Sequence, residues 1–356
     1  MRESSLARLL LFAYVLLLAY ATLYPLSGWH GPAAAPFAFL AAPWPRYVTI
    51  FDLSANFLGY VPYGFLVVLA VRPAFSSASA VALALASGGL LSLGLEVAQS
   101  FLPARIPSNA DVLANLLGVA AGAVAGALAT PWLLGGGPLR RARSEAFETG
   151  AAANLGLTLL GLWLFAQLNP ATLLFGAGDL RDLVVAPAGE RRDPGFFVAI
   201  EAAVATGNLV ALALLGSAMT RSSAPLRRIL AVLLAAALAL RTLAFAVLMQ
   251  AEHLLAWLTP GAQLGLACGI AAALAALWLP RSLHPALAAM LLMAATVLVN
   301  LAPPNPYLAA THRVWEQGHF LNFNGLTRLV SAAWPFAALG YLVLLAARRG
   351  REGRPG

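Results

Sequence analysis

Apolar residues run along this 356-residue chain in long unbroken stretches, separated by short polar connections. The runs are rich in Ala, Leu and Gly. They predict membrane-crossing helices of about 20 residues rather than the alternating strands of roughly 10 residues found in a membrane barrel. Ten such helices are predicted, at about 6–26, 52–71, 78–101, 110–134, 150–168, 196–219, 229–249, 261–279, 286–302 and 329–347. The fold class is therefore all-α, a polytopic transmembrane helical bundle whose first partner is the lipid bilayer.

Composition sharpens this reading. Hydrophobic residues make up 61% of the chain and charged residues 10%, against about 25% charged in a typical soluble domain. That excludes a soluble globular enzyme and a disordered regulator. The single Cys268 excludes an internal disulfide and a thiolate metal cluster. No nucleotide loop, cofactor motif or specific metal motif is present, so neither a cofactor nor a resident metal is expected. All 22 basic residues are Arg. The resulting pI of about 10.4 comes without a groove-reading motif, so nucleic acid is not expected as a partner. Arginine instead reports topology, because cytoplasmic loops of membrane proteins collect it. With the N-terminus inside, fourteen of the 22 arginines fall on the inner side, Arg140, Arg141, Arg143, Arg221, Arg227, Arg228 and Arg281 among them. Both termini are then cytoplasmic. Ala19 and Ala21 form a small-x-small pair, but the apolar run before them exceeds the 7–15 residues of a signal peptide core, so the first span reads as a retained anchor. The Gly-, Pro- and Arg-bearing stretch 135–149 reads as a cytoplasmic basic linker between a four-helix domain, 1–134, and a six-helix domain, 150–356.

Candidate chemistry concentrates in the first domain. Asp52-x-x-x-Asn56-x-x-Gly59 is echoed by Asp111-x-x-x-Asn115-x-x-Gly118, each at the start of a predicted span running inward. Residues four apart share a helix face. The intervening span ends in Glu96 and Gln99, and the loop that follows carries Arg105. Asp52, Asn56, Glu96, Gln99, Arg105, Asp111 and Asn115 should thus converge at one membrane face. Three carboxylates, one guanidinium and two helix N-termini of roughly +0.5 each leave a net charge near −1. This suits a cation, an amine or a hydroxyl-rich group better than bare phosphate. Glu96, Asp52 and Asp111 are the candidates for acid or base chemistry, with Arg105 and the amides orienting. A structural alternative stands beside this one: the two aspartates as helix N-caps, and the amides as interhelical hydrogen bonders. Gly118, Gly122 and Gly126 mark a close-packing face, for a helix of the same chain or of a second copy.

The segments F-D-x-x-x-N-F-L-G-Y-V-P-Y-G at 51–64, E-V-A-Q-S-F-L-P-A-R at 96–105 and D-V-L-A-N-L-L-G at 111–118 together resemble the VanZ-like integral membrane proteins. The resemblance covers about residues 6–134. It implies a multi-pass protein of the bacterial cytoplasmic membrane with a role facing the cell envelope. The founding member of that family is associated with teicoplanin resistance. The resemblance supplies no reaction.

In the second half, Arg241 lies within a predicted span, where an unpaired guanidinium would cost at least ~2.5 kcal/mol. Glu201 is its expected partner, with Asn208 and Glu252 as alternatives. The loop 169–195, with Asp179, Arg181, Asp182, Glu190, Arg191, Arg192 and Asp193, reads as solvated. The outer loop 303–328 places His312, Glu316 and His319 on one face if helical. That spacing does not match a known zinc motif. An interfacial segment with Trp315, Phe320 and Phe323 at headgroup level is the simpler reading, with Asn322, Asn324 and Arg328 towards headgroups or sugars. His30, His253 and His284 receive no role. Three functions remain open: handling of a lipid-linked or glycan ligand at the outer leaflet, a non-enzymatic scaffold for cell-wall or polysaccharide machinery, and a transporter.

Overall fold

The computed structural model describes residues 4–32, 35–45, 49–72, 74–181, 192–248, 254–303, 305 and 321–352. These form eleven α-helices and one 3-10 turn, with no strand among the described residues beyond an isolated bridge between Phe147 and Thr220. Each of the ten apolar segments is helical. Eight of the helices are long and apolar enough to cross a membrane. The chain divides into two compact units, Met1–Ser144 and Glu145–Gly356.

The first unit holds α1 (Ser5–Leu23), α2 (Ile50–Val71), α3 (Ser77–Gln99) and α4 (Asn109–Leu133); α5 (Pro138–Ala146) follows across the boundary. Helix ends are set by local chemistry. Thr49 caps α2 by accepting from the Asp52 amide at 3.0 Å, and the Asp52 carboxylate accepts in return from the Thr49 backbone N–H at 3.4 Å, a capping box, and from the Thr49 hydroxyl at 2.6 Å. Ser108 caps α4. Asp52 and Asp111 are therefore third-position residues and not the N-caps that the spacing suggested, since Thr and Ser three residues upstream take that place. Arg72, next to Pro73 in the chain, is extended and ends α2.

Lipid supplies no hydrophobic force between helices, so their close approach depends on small residues. A Cβ on Gly118, Gly122 or Gly126 would collide with the carbonyl oxygens of Phe57, Val61 and Phe65 respectively. The glycine face thus packs within the chain. Because its contacts advance along both helices together, α2 and α4 run parallel. Their N-termini sit side by side. α1 crosses antiparallel, with Arg8 Nε donating to Ala70 O (3.0 Å) and the Tyr14 hydroxyl to Gly59 O (2.6 Å).

The second unit comprises α6 (Ala151–Ala166), α7 (Pro194–Met219), α8 (Leu226–Leu248), α9 (Pro260–Ala276), α10 (His284–Leu301) and α11 (Leu321–Glu352). α7 is its core, buried on every side from Asn208 to Ser217, as expected of a helix that is apolar all round. Gly261, Gly265 and Gly269 of α9 lie against Glu201, Ala205 and Leu209 of α7, so this pair too is parallel and glycine-spaced.

Several expectations change here. Within the loop 169–195, the stretch 169–178 is not solvated: Asn169, Leu174, Phe175, Ala177 and Gly178 are buried, whereas Asp179 and Arg181 are half-buried and Arg192 and Asp193 are exposed. Non-helical backbone within a membrane bundle must be satisfied by protein. Asn300 does so, donating to Gly178 O (2.6 Å) and accepting from Leu180 N–H (2.8 Å). Arg241, 2% exposed, does so as well. Its guanidinium bonds the carbonyls of Asn169 and Thr172 and the Thr172 hydroxyl, the last at 3.1 Å, and lies over the Phe245 ring. Arg241 is thus not hydrogen-bonded to Glu201, which stays within electrostatic range of it while its carboxylate accepts from the Thr259 hydroxyl at 2.6 Å. The carbonyls that follow the end of α6 take the cation instead, because its dipole is negative there. Asn208 turns to Val204 O. His284, to which the sequence assigned no role, is 1% exposed and bridges Ser217 Oγ (2.8 Å) and Leu279 O (3.0 Å). Phe323 belongs to α11 and meets Phe165 edge-on, so the outer loop ends before it; Asn324 and Arg328 share that helix. Asp182, Glu190, Arg191, Glu252, His253, His312, Trp315, Glu316, His319 and Phe320 lie outside the described residues, as does the side chain of Asn322.

Outside the helices, burial pushes the Asp179 carboxyl up. The hydrogen bonds and charge of Arg181, 2.5 Å away, outweigh it and hold Asp179 below the usual carboxylate range.

Candidate functional site

The parallel pairing of α2 and α4 gathers the polar residues of the first unit at one end. The Asn56 side chain faces the Asp111 carboxylate, and Asp52 lies within electrostatic range. Asp52 is exposed, whereas Asn56 and Asp111 are half-buried. Glu96, 3% exposed, accepts from the Ser108 backbone N–H at 2.9 Å, so a carboxylate of α3 sits on the positive start of α4.

Gln99 and Arg105 turn away from that centre. The Gln99 amide donates to Thr22 O (3.0 Å), and the Arg105 guanidinium clamps Tyr24 O through two N–H groups (3.0 and 2.7 Å). Both tie the end of α1 to the α3–α4 connection. Burial lowers the Arg105 guanidinium from its ordinary value, against the pull of Glu96.

One turn deeper, Asn115 donates to Ser92 Oγ at 2.9 Å. The Tyr60 hydroxyl faces Ser92 without completing a hydrogen bond. Tyr60 and Asn115 are each 3% exposed, Ser92 is fully buried, and both the Tyr60 hydroxyl and Asn115 Oδ1 lack a partner. The polar residues thus form a ladder: Asp52, Asn56 and Tyr60 on α2, Glu96 and Ser92 on α3, Asp111 and Asn115 on α4. Sequence reasoning missed Tyr60, Ser92, Thr49 and Ser108. The signal was present, since Tyr60 follows Asn56 by one turn and Ser92 precedes Glu96 by one turn. Among the described residues no group of three His, Cys, Asp or Glu is placed to hold a metal ion.

These features define a helical membrane protein with a polar ladder at the paired starts of two parallel helices. Residues 11–130, which contain the whole ladder, match the model of the VanZ/LLP1 family. No curated protein and no solved structure matches the chain.

Proposed function

We propose that the first unit binds a hydroxyl-rich or ammonium-bearing headgroup, of a lipid-linked or glycan ligand, at the outer leaflet of the bacterial cytoplasmic membrane. The observation that carries this reading is the unfinished ladder. A buried acceptor, Asn115 Oδ1, and a buried hydroxyl, Tyr60, are left over beneath Asp111 and Asn56, which stay within reach of the surface. Leaving such groups unpaired costs about 1–3 kcal/mol each, so a ligand hydroxyl that reaches them recovers that energy. The net charge near −1 favours donors over bare phosphate.

The arginine bias supports this orientation, with ten crossings and both termini cytoplasmic. α6 and α9, of 16 and 17 residues, reach only about 24–26 Å at 1.5 Å per residue. The buried segment after α6 extends that path.

A second reading, a non-enzymatic scaffold, is favoured by Glu96, Gln99 and Arg105, each bonded to backbone at a neighbouring helix end. The two separate experimentally. Binding of a lipid-linked disaccharide to the full chain in nanodiscs should weaken about 10- to 100-fold in Asp111→Asn, the value of a charge-assisted hydrogen bond, with thermal stability unchanged. Wild-type binding in both Asp52→Asn and Asp111→Asn would leave the scaffold reading standing and remove the ligand.

A further inference from the structure

An open groove of about 640 Å³ lies at one end of the second unit, between the α7–α8 connection and the α9–α10 connection. Arg227, Arg228 and Arg281 line it with Trp278, and no acidic residue does. Arg281 fixes the two connections together, donating to Thr220 O (3.2 Å) and Arg221 O (3.4 Å). The residues just before α6 meet the same end, where Arg221 Nε donates to Phe147 O (3.3 Å) and Glu148 N–H to Met219 O (2.9 Å). Arg227 and Arg228 are exposed, and neither side chain makes a hydrogen bond or ion pair with a described residue.

The apolar part of the rim is as telling as the charge. Trp278 is 82% exposed at the end of α9, with Leu279 and Leu283 exposed beside it. An indole at the end of an apolar helix belongs at headgroup depth. A soluble anion would use the arginines and leave this rim in water. A lipid uses both, its phosphate on the guanidinium groups and its glycerol and upper chains on Trp278. We propose that this groove is a binding site for an anionic phospholipid, seated by Arg227, Arg228 and Arg281 and flanked by Trp278. Basic pockets between membrane helices take such headgroups by the same chemistry, and guanidinium groups suit phosphate because their N–H pairs match its oxygens.

The test uses the full chain in phosphatidylcholine nanodiscs doped with phosphatidylglycerol, counting retained phosphatidylglycerol by native mass spectrometry. At roughly 1 kcal/mol per arginine near the surface, Arg227→Gln with Arg228→Gln should weaken retention about 30-fold, and Arg228→Gln alone about fivefold. Neither side chain holds the fold, so thermal stability in pure phosphatidylcholine should not move. Arg140→Gln with Arg141→Gln removes the same charge elsewhere and should retain the lipid as wild type does. Equal loss in that control, or wild-type retention in the Arg227/Arg228 variant, overturns the site. Millimolar inorganic phosphate displacing the lipid as well as added phosphatidylglycerol does would make it a soluble-anion site and also overturn the proposal.

Discussion

Substituting Gly122→Ala probes the contact on which the first unit depends. The added Cβ would lie 2.8 Å from the Val61 carbonyl carbon and 3.0 Å from the Phe65 nitrogen, and closer still to the Val61 oxygen. These are backbone atoms in mid-helix, so no rotamer change relieves the clash and the helices must part. A gap of about 0.5–1 Å forfeits a quarter to a half of each dispersion contact along the seam. Overpacking of this kind costs about 1–3 kcal/mol, and a rigid backbone neighbour points to the upper end. Alanine returns about 1 kcal/mol of helix propensity, leaving a net loss of about 2 kcal/mol. Gly94→Ala is the matched control. Its Cβ meets nothing within 4 Å, so only the propensity gain remains and the variant should be neutral or up to about 1 kcal/mol more stable. Unfolding in mixed micelles with rising dodecyl sulfate, followed by tryptophan fluorescence, measures both. A gap between the two variants below about 1 kcal/mol, within the range of ordinary surface changes, would refute the backbone-contact argument.

Two further outcomes follow from the second unit. Arg241→Met strips a buried and a part-buried carbonyl and a hydroxyl of their donor and should cost about 3 kcal/mol in the same assay, whereas Glu201→Gln keeps an acceptor for Thr259 and should cost below about 1 kcal/mol. Exchanging the two residues should not rescue stability, and rescue would restore the direct ion pair. Asp179 sets the acid-side behaviour: its folded carboxyl lies below its unfolded value, so its contribution is present above the unfolded value near ~3.9 and is lost as pH falls through the lower folded one. The stability difference between wild type and Asp179→Asn should therefore be full above about pH 5 and close below about pH 4; a difference that does not change with pH would count against the Arg181 pairing.

The helices were legible because period and length decide them. Each apolar run became a helix since nothing else satisfies its backbone in lipid. The glycines at 118, 122 and 126 were legible as a contact, though only the structure shows that the facing surface is α2. The same spacing at Gly261, Gly265 and Gly269 was equally readable and went unread. Asp179 and Arg181 misled because a dense balanced charge pattern is the same in a solvated loop and in a pair that closes a buried turn. Arg241 misled for a related reason: a buried cation needs electron density, and carbonyl oxygens, invisible in a sequence, supply it as well as a carboxylate. In the ladder, the charged members were visible. Tyr60 and Ser92 were marked only by their one-turn spacing from Asn56 and Glu96, because a hydroxyl in an apolar run gains meaning only when a partner faces it.

The two glycine-spaced pairs allow an argument about which acids are explained by the fold. Laying helices parallel brings two positive ends together, and a carboxylate at the shared end offsets them. In the second unit that need is met by Glu201 at the Thr259 cap of α9 and Asp193 at the start of α7. Glu96 on the Ser108 amide and Asp52 on the Thr49 cap do the same for α4 and α2. Asp111 is therefore surplus to the geometry. So are the groups below it, for among the described residues of α7 and α9 nothing matches the unpartnered Tyr60 hydroxyl and Asn115 oxygen. A clasp accounts for Glu96, Gln99 and Arg105. What it leaves over is Asp111 with Asn56 above Asn115 and Tyr60, the part of the ladder with unmet hydrogen-bonding capacity, and it is there that the proposed headgroup would bind.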